Sequence, residues 1–279
     1  MDPGNKTWTL ENTPKVVSGI DEESLARVRS FYDDITERTV PVRSPKEAEL
    51  TKLLENTFRH VNIALVNELA VFARDLGIDV WEAIDAAESK PFGFMPFRPG
   101  PGVGGHCLPI DPSYLSWKVK QSLGQTFRFV ELANEVNEHM PDYVIRRLVA
   151  GLNERELPVK GRRILVLGLA YKKNTGDDRE SPSADHRAPG AAEGRRGGLR
   201  PHVDPARSHA MGEAEMVELT AEELRRADAV VILVDHDEFD LELVAAEAAY
   251  VLDTRRCASA ARSSTSEPAG ASRSGTLPT

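Results

Sequence analysis

Cys107 is the residue of this sequence whose surroundings point most directly to chemistry. It lies in "GPGVGGHCLPIDP", where glycines precede it and prolines follow it. Glycine lets a backbone approach a ligand closely, and proline stiffens the chain. A loop of this composition presents a side chain rather than burying it, which favours a nucleophilic thiol. The alternative is a packed cysteine, the commoner role of a lone thiol in a soluble protein.

Asp111 follows the cysteine by four residues and has two interpretations. Its carboxylate could orient a water molecule toward whatever the sulfur holds. It could equally cap the helix that "PSYLSWKV" predicts, since aspartate is a preferred N-cap residue. Spacing alone does not choose between the two.

Lys52 and Asn56 are also four residues apart, within a helical pattern. That spacing places both side chains on one face of a helix, one turn apart. An ammonium and an amide that point into one pocket suit an oxygen atom that gains negative charge. The alternative for Lys52 is a solvated lysine on an amphipathic helix.

The helix that carries this pair is predicted to begin after a capping Ser44 and to stop at Gly77. Apolar residues recur along it at spacings of three and four, which predicts one apolar face. They are Leu50, Leu53, Leu54, Phe58, Val61, Leu65, Leu69, Phe72 and Leu76.

Further helical patterns cover "IDVWEAIDAAES" and residues 127–155, the latter broken or kinked near Pro141. The stretch from Pro91 to Pro112 is predicted to be loop. A pattern as long as 127–155 exceeds the mean helix of about 11 to 12 residues. We therefore expect it to have a partner, and we expect a homodimer.

Strand patterns flank this helical region on both sides. Before it, two strand patterns, "KVVSG" and "RTVPV", enclose a predicted helix over 21–36. After it, three segments are predicted to be strands, namely "ILVLG", "DAVVILVD" and "AYVLDT", and "TAEELRRA" is predicted to be a helix. The continuous apolar run in "ILVLG" is typical of a buried parallel strand. Residues 184–210 show no apolar periodicity, so we expect neither a helix nor a strand there.

Composition narrows the possible partners. A formal net charge of −9 and a pI near 5.4 argue against a chain that coats nucleic acid or an anionic membrane. The two cysteines, Cys107 and Cys257, form neither a disulfide framework nor a C-x-x-C pattern, which favours a reducing compartment. The apolar runs are too short to span a membrane. We expect a cytoplasmic protein without nucleic-acid or membrane partners, and without a metal site.

The glycines Gly100, Gly102 and Gly105 satisfy the pattern G-x-G-x-x-G. A dinucleotide-binding fingerprint requires a strand before it and a helix that opens on the third glycine, and neither is predicted here. We conclude that the sequence contains no complete dinucleotide-binding motif.

Four segments occur in an order that is specific to one family: "AELTKLLENTFRHVNIALVNELA", "KPFGFMPFRPGPGVGGHCLPIDP", "ANEVNEHMP" and "ILVLGLAYKKNTGDDRESPS". Together they resemble the UDP-glucose/GDP-mannose dehydrogenase family over residues 2–183 and again over 215–256. Within the family, "KPFGFMPF" and "GGHCLPIDP" are most similar to the branch that oxidises UDP-N-acetylglucosamine or UDP-N-acetylmannosamine.

The resemblance implies an enzyme that oxidises C6 of a nucleotide sugar from alcohol to carboxylate with two NAD+ in succession. Cys107 would attack the intermediate aldehyde, and water would hydrolyse the thioester that forms after the second oxidation. Lys52 and Asn56 would hold the oxygen as it gains charge. Asp111 would position or activate the water.

The resemblance also implies binding residues. Gly104 and Gly105 would lie against the substrate, Tyr171 and Lys172 would contact the UDP portion, and Arg255 or Arg256 would contact its phosphates. Arg179 would contact the NAD pyrophosphate, and Lys90 or Arg98 would reach the sugar of the partner subunit. Lysine and arginine suit a diphosphate as a point charge and a bidentate fork.

The implied fold class is α/β: a C-terminal remnant of a Rossmann domain, a central all-helical dimerisation domain, and an incomplete Rossmann-like UDP-binding domain. We predict four regions: the remnant of an NAD-binding domain in 1–43, the central catalytic and dimerisation domain in 44–155, the UDP-sugar-binding domain in 156–256 with an irregular 184–210, and a disordered tail in 257–279.

Two departures from the family pattern stand out. The chain starts after the glycine fingerprint and after the family's catalytic glutamate, as an N-terminally truncated fragment would. Residues 184–210 read as a frameshifted segment. We therefore expect the chain alone neither to bind NAD+ tightly nor to turn over nucleotide sugar. Two hypotheses remain: a fragment of a nucleotide-sugar 6-dehydrogenase, or an inactive dimerisation and UDP-binding module.

Overall fold

The structure is a computed structural model that describes residues 7–105, 107–177, 181 and 216–258, and the backbone of 196–199 and 215. The chain begins with a parallel two-stranded unit: β1 (Lys15–Val17), α1 (Glu22–Asp33) and β2 (Thr39–Pro41). Asp21 caps α1, with its carboxylate accepting from Ser24 N at 2.7 Å. The predicted strand–helix–strand order is confirmed.

Four helices follow and form the central region: α2 (Pro45–Asp75), α3 (Val80–Glu88), α4 (Cys107–Leu123) and α5 (Arg128–Asn153). The predicted start of α2 is confirmed, because Ser44 Oγ accepts from Lys46 N at 3.2 Å and Pro45 opens the helix. Gly77, with a φ of 70°, follows the end of α2. The helices α4 and α5 both pack against α2.

The start of α4 differs from the prediction of a loop up to Pro112. The helix begins at Cys107 and contains Pro109 and Pro112. Pro109 is tolerated in the first turn because its missing N–H would have no partner inside the helix. Pro112 lies in the second turn, inside the helix. Likewise, α5 is not broken at Pro141, which is buried within a continuous helix. Proline content therefore overstated the length of the loop and the interruption of α5.

The distribution of side chains on α2 is the reverse of a usual amphipathic helix. Its buried residues are Asn56, Thr57, His60, Ala64, Val66 and Asn67. Most of the predicted apolar row is exposed, namely Leu50, Leu54, Phe58, Leu65, Leu69, Phe72 and Leu76. The helix α2 therefore turns a largely polar face toward α4 and α5.

A five-stranded parallel sheet completes the fold. Its strands are β3 (Ile164–Leu167), β4 (Arg196–Leu199), β5 (Glu215–Met216), β6 (Ala229–Ile232) and β7 (Val251–Asp253), in the order β5-β4-β3-β6-β7. Two short helices, α6 (Ala221–Arg226) and α7 (Leu241–Glu247), accompany them. The strand order reverses between β3 and β6, which opens a crevice at the carboxyl ends of the strands.

The expectation that residues 184–210 contain no strand is wrong. The strand β4 pairs in parallel with β3, and Ile164 lies opposite Arg196. A strand is defined by backbone hydrogen bonds, and "RGGL" in β4 has no apolar alternation that a sequence pattern could detect. The rest of 184–210, like the predicted tail from residue 259 onward, lies outside the described residues.

The second half of α5 belongs to the core of the sheet. Val144, Leu148 and Leu152 cluster with Ile164, Val231 and further residues of the strands. A second cluster covers the opposite face and includes Leu224 and Val244 of the short helices. The expected partner of the long helix α5 is thus found within the chain. Among the described residues, the structure contains no helix of the length and apolarity that crossing a membrane requires.

Candidate active site

Lys52, Asn56 and Asp111 form the centre of the candidate site. Lys52 Nζ lies 2.8 Å from Asp111 Oδ2, and Asn56 Nδ2 donates to the same oxygen at 2.9 Å. The two donors come from successive turns of α2, whereas Asp111 lies in the second turn of α4. Because Asp111 is inside the helix, the N-cap interpretation is wrong. Two hydrogen-bond donors that converge on one anionic oxygen have the arrangement that oxyanion stabilisation requires.

The charged form of Lys52 is favoured by its hydrogen bond. The hydrogen bond from Lys52 to Asp111 raises the pKa of Lys52, and the nearby charges of Asp111 and Cys107 add to that effect. Lys52 therefore remains an ammonium and acts as a donor rather than a base. Asn56 is buried, and its Oδ1 accepts from Arg59 Nη2, which orients the Nδ2 group toward Asp111.

Cys107 is exposed and opens α4 four residues before Asp111. Residues four apart share a helix face, so the thiol lies one turn away from the carboxylate. Cys257 has a different environment: burial, followed by Asp253 and Asp235, raises the pKa of its thiol to about 12. Of the two cysteines, only Cys107 combines exposure with neighbouring polar groups that suit a reaction.

The glycine loop meets the carboxyl edge of the sheet at Tyr171. Gly105 has a φ of 83°, and a Cβ atom there would lie 3.1 Å from Cε2 of the Tyr171 ring. Glycine thus satisfies both the backbone torsion and the close approach. Tyr171 and Lys172 belong to the loop that follows β3, and Gly104 is half-buried beside Gly105. Of the predicted UDP-contact residues, Tyr171 therefore lies against the loop that leads to Cys107, and Lys172 follows it in the chain.

Arg255 follows β7 and lies against the same loop. Its Nε donates to Leu233 O at 2.8 Å, and a Cβ atom on Gly100 would lie 2.7 Å from its Nη1. Burial lowers the pKa of Arg255. Arg256 instead is exposed and lies 3.2 Å from Asp79, the N-cap residue of α3. Arg255 is the arginine that the structure places beside the glycine loop.

Three other predicted contacts lie apart from the cluster of Lys52, Asn56 and Asp111. Lys90 is exposed just after α3. Arg98 donates to Asp85 and, at 2.6 Å, to Glu88. Arg179 lies outside the described residues. The roles of Lys90, Arg98 and Arg179 stay predictions.

Buried polar residues beneath the site were missed by the sequence analysis. His60, Asn67 and Asn137 are almost fully buried, and Asn134 joins them. Their spacing, 60 and 67 on α2 and 134 and 137 on α5, places each pair on one helix face, which is a usable signal. The apolar row of α2 is the stronger periodic signal and draws attention away from this polar face.

His236 was missed as well, and it holds the loop of Tyr171 and Lys172. Its Nδ1 accepts from Asn174 N at 3.0 Å, and its ring is buried. Asn174 has a φ of 56°, a torsion that asparagine adopts more readily than most residues. The amide of Asn174 also donates to Asp237 at 2.6 Å. These bonds tie the loop after β3 to the loop after β6.

Comparison with known proteins agrees with this arrangement. Residues 46–139 match the model of the UDP-glucose/GDP-mannose dehydrogenase family central domain, and residues 165–260 match the model of the UDP binding domain of the same family. The first range contains α2 to α4 and the start of α5, and the second contains the sheet. The two matched regions therefore meet at the contacts of Tyr171 and Arg255 with the glycine loop.

Individual relatives share these regions. The UDP-N-acetyl-D-mannosamine dehydrogenase of Escherichia coli K12 is 35% identical over 244 residues, covering 85% of this chain and 56% of its own length. The UDP-N-acetyl-D-glucosamine 6-dehydrogenase of Pseudomonas aeruginosa is 40% identical over 186 residues, covering 66% of this chain and 43% of its own length. The crystal structure of NDP-N-acetyl-D-galactosaminuronic acid dehydrogenase from Methanosarcina mazei Go1 superposes with a TM-score of 0.75 at 28% identity, covering 88% of this chain and 55% of that one. The chain spans about half the length of the relatives it matches.

Proposed function

The chain belongs to the UDP-glucose/GDP-mannose dehydrogenase family, and we propose that it carries the covalent and UDP-binding part of a nucleotide-sugar 6-dehydrogenase. The proposed reaction oxidises C6 of a UDP-sugar from alcohol to carboxylate. The observation that carries the proposal is the convergence of Lys52 and Asn56 on Asp111, one turn from the exposed Cys107.

The chemistry of each residue follows from its position. Cys107 Sγ bonds to C6 when that carbon is an aldehyde, and the carbonyl oxygen gains charge. Lys52 and Asn56 donate hydrogen bonds to that oxygen. Loss of a hydride from C6 to the NAD+ that the family uses would turn the sulfur adduct into a thioester. Asp111 is one turn from the sulfur and would position the water that releases the carboxylate from it. The pKa of Lys52 is raised, so its ammonium keeps its proton throughout.

The UDP portion is proposed to bind at the carboxyl edge of the sheet, beside the reversal between β3 and β6. Tyr171, Lys172 and Arg255 lie on loops that leave this edge. Arg255 supplies a guanidinium for the phosphates. Gly100 lets the glycine loop approach Arg255, and Gly105 lets it approach Tyr171. The sugar is proposed to be an N-acetylated hexosamine, in keeping with the names of the relatives compared above.

The family consists of NAD-dependent dehydrogenases, in which bound NAD+ accepts hydride from C6. The described residues do not fit a dinucleotide site. The turn after β1 contains Gly19, where a Cβ atom would lie 2.3 Å from Leu25 N, so the backbone of α1 fills the space above it. A contact between Arg179 and the NAD pyrophosphate stays a proposal on a residue outside the described part.

A second candidate function is an inactive dimerisation and UDP-binding module. The observation that favours it is that Tyr171 and Arg255 lie against the glycine loop, an arrangement that needs no reaction at Cys107. Both candidates share the UDP site, and they differ in whether Cys107 takes part in a reaction.

A homodimer is proposed in either case. The exposed apolar row of α2, from Leu50 to Leu76, is continuous along the helix. Rows of this kind on a long helix are typical of an interface with another helix. A second copy of the chain would cover the row with an identical one.

The test combines thiol labelling with turnover. UDP-N-acetylglucosamine or UDP-N-acetylmannosamine should slow iodoacetamide labelling of Cys107, measured by peptide mass spectrometry, while the free sugar should not. Joined behind the NAD-binding domain of a relative, the chain should form NADH. Cys107→Ser should then lose carboxylate formation, whereas the matched Cys257→Ser should keep it. Protection without any difference between the two serine variants would favour the inactive module, and absence of protection would contradict both candidates.

A further inference from the structure

Polar side chains between α2, α5 and α4 form one continuous network of hydrogen bonds. Asn67, Asn137 and His60 are buried, and Asn134 and Ser113 are half-buried. Gly100 N donates to Asn67 Oδ1 at 2.9 Å, and Asn67 Nδ2 donates to Asn137 Oδ1 at 3.0 Å. Asn137 Nδ2 lies 3.4 Å from both Nδ1 and the carbonyl oxygen of His60. The first half of the chain thus leads from the glycine loop to His60.

The second half leads from His60 to the helix of the cysteine. His60 Nε2 and Asn134 Oδ1 are 2.8 Å apart, and Asn134 Nδ2 donates to Ser113 Oγ at 3.1 Å. Ser113 Oγ then donates to Pro109 O at 2.7 Å. Pro109 lies in the first turn of α4, two residues after Cys107.

Along this network of hydrogen bonds, each group donates to the next one, from Gly100 to Pro109. Asn134 offers its oxygen to His60 because its NH2 group is used by Ser113, so His60 Nε2 carries the proton. Asn137 offers its NH2 group because its oxygen accepts from Asn67, so His60 Nδ1 is an acceptor. A single neutral tautomer of His60 satisfies both neighbours. His60 therefore joins the two halves of the hydrogen-bond network, because it accepts from one half and donates to the other.

The two ends of the chain flank the proposed nucleophile. Gly100 begins the glycine loop and lies against Arg255, and Pro109 follows Cys107. A network whose members are all satisfied resists opening, because breaking one bond leaves a polar group without a partner, at the largest cost where the group is buried. Both ends of the segment that carries Cys107 are thus held by the same network.

We propose that His60 is a positioning residue, whose neutral imidazole holds the segment 100–113 and thereby the thiol of Cys107 and the carboxylate of Asp111. The proposal rests on the proposed function in one respect, the naming of Cys107 as the reacting group. Its structural content, the coupling of Gly100 to Ser113 through His60, is independent of any reaction.

Amide hydrogen exchange tests the coupling. In His60→Ala, the protection factors of the Gly100, Asp111 and Ser113 amides should fall by about 10- to 100-fold, as expected when a buried hydrogen bond is lost. His60→Gln should restore protection to within about threefold, because one glutamine amide can donate to Asn134 and accept from Asn137. Val66→Ala, a buried substitution on the same helix, is the matched control.

Ser113→Ala distinguishes the two ends of the network, and it is the variant to use if His60→Ala does not fold. It removes the last two hydrogen bonds of the network, from Asn134 to Ser113 and from Ser113 to Pro109, so it should loosen Asp111 and leave Gly100 protected. The proposal is overturned if the protection factors of His60→Ala, after correction for global stability, equal those of Val66→Ala. It is also overturned if His60→Gln fails to restore protection. A third contradicting result is that Ser113→Ala lowers the protection of Gly100 as much as that of Asp111. An unreactive Cys107 would instead overturn the proposed function and leave these exchange rates as they are.

Discussion

At the scale of single residues, Lys52, Asn56 and Asp111 illustrate what spacing predicts. That Lys52 and Asn56 share a face follows from helix geometry alone, and the structure agrees. That both donate to one oxygen of Asp111 depends on how α4 lies against α2, which spacing does not contain. The alternative of Asp111 as a helix cap could be excluded only once α4 was seen to begin at Cys107.

Gly105 provides a test at the same scale. Gly105→Ala should weaken UDP-sugar binding and lower the free energy of unfolding by about 1 to 2 kcal/mol, since alanine is strained at a left-handed torsion. The added methyl group would also press on the Tyr171 ring. Isothermal calorimetry with a UDP-sugar and denaturant unfolding measure the two effects.

Gly124→Ala is the matched control for this substitution. Gly124 has a similar φ of 65°, and nothing lies within 4 Å of a Cβ atom there. It should lose similar stability and keep its UDP-sugar affinity. Equal affinities for the two variants would contradict the role of the contact between Gly105 and Tyr171.

At the scale of elements, the sequence predicted the helices better than the faces they bury. The caps and period of α2 were sufficient to place it, because both are local. Its buried face could not be deduced, since period alone does not say whether an apolar row meets the core or another chain. Similarly, β4 depends on pairing with β3, to which its own side chains give no clue.

The exposed row of α2 gives the prediction at this scale. Leu69→Glu should dissociate a homodimer, because two copies of the substitution would place carboxylates opposite apolar side chains in the interface. Light scattering at micromolar concentration should show a fall from dimer to monomer mass. Phe31→Glu, an exposed apolar position on α1, should keep the dimer. A monomeric unsubstituted protein would contradict the proposed interface.

At the scale of the whole molecule, α5 joins the two matched regions into one structure. Its first half contacts the site through Asn134 and Asn137, and its second half lies in the core of the sheet. The boundary predicted at residue 155 marks the end of the helix rather than the end of the contacts. Sequence patterns could place that helix end but not the shared core, which arises from tertiary packing.

Acid stability is a property of this whole structure that His60 should influence. Burial lowers the pKa of His60 from 6.5, and the hydrogen bond with Asn134 opposes that effect only in part. The groups that face the imidazole of His60 are the neutral amides of Asn134 and Asn137. The unfolded chain therefore binds the proton more readily than the folded one. The contribution of His60 to stability is present above pH 6.5 and is lost as the pH falls through the lowered folded pKa.

Denaturant midpoints between pH 7.5 and 4.5 measure this effect. The unsubstituted protein should lose more stability on acidification than His60→Gln, which does not titrate, because the other titrating groups are common to both proteins. Parallel pH profiles would show that His60 does not remain neutral in the folded state.

The packing of α5 also bears on how the two matched regions can be separated in evolution or by cutting the gene. A break between residues 153 and 163 would separate Val144, Leu148 and Leu152 from the strands and leave one face of the sheet bare. An exchange of UDP-binding regions between relatives would therefore have to carry the second half of α5 along with the strands. The segment that would have to be exchanged as a whole is therefore longer than the matched range 165–260, and it begins in the middle of α5.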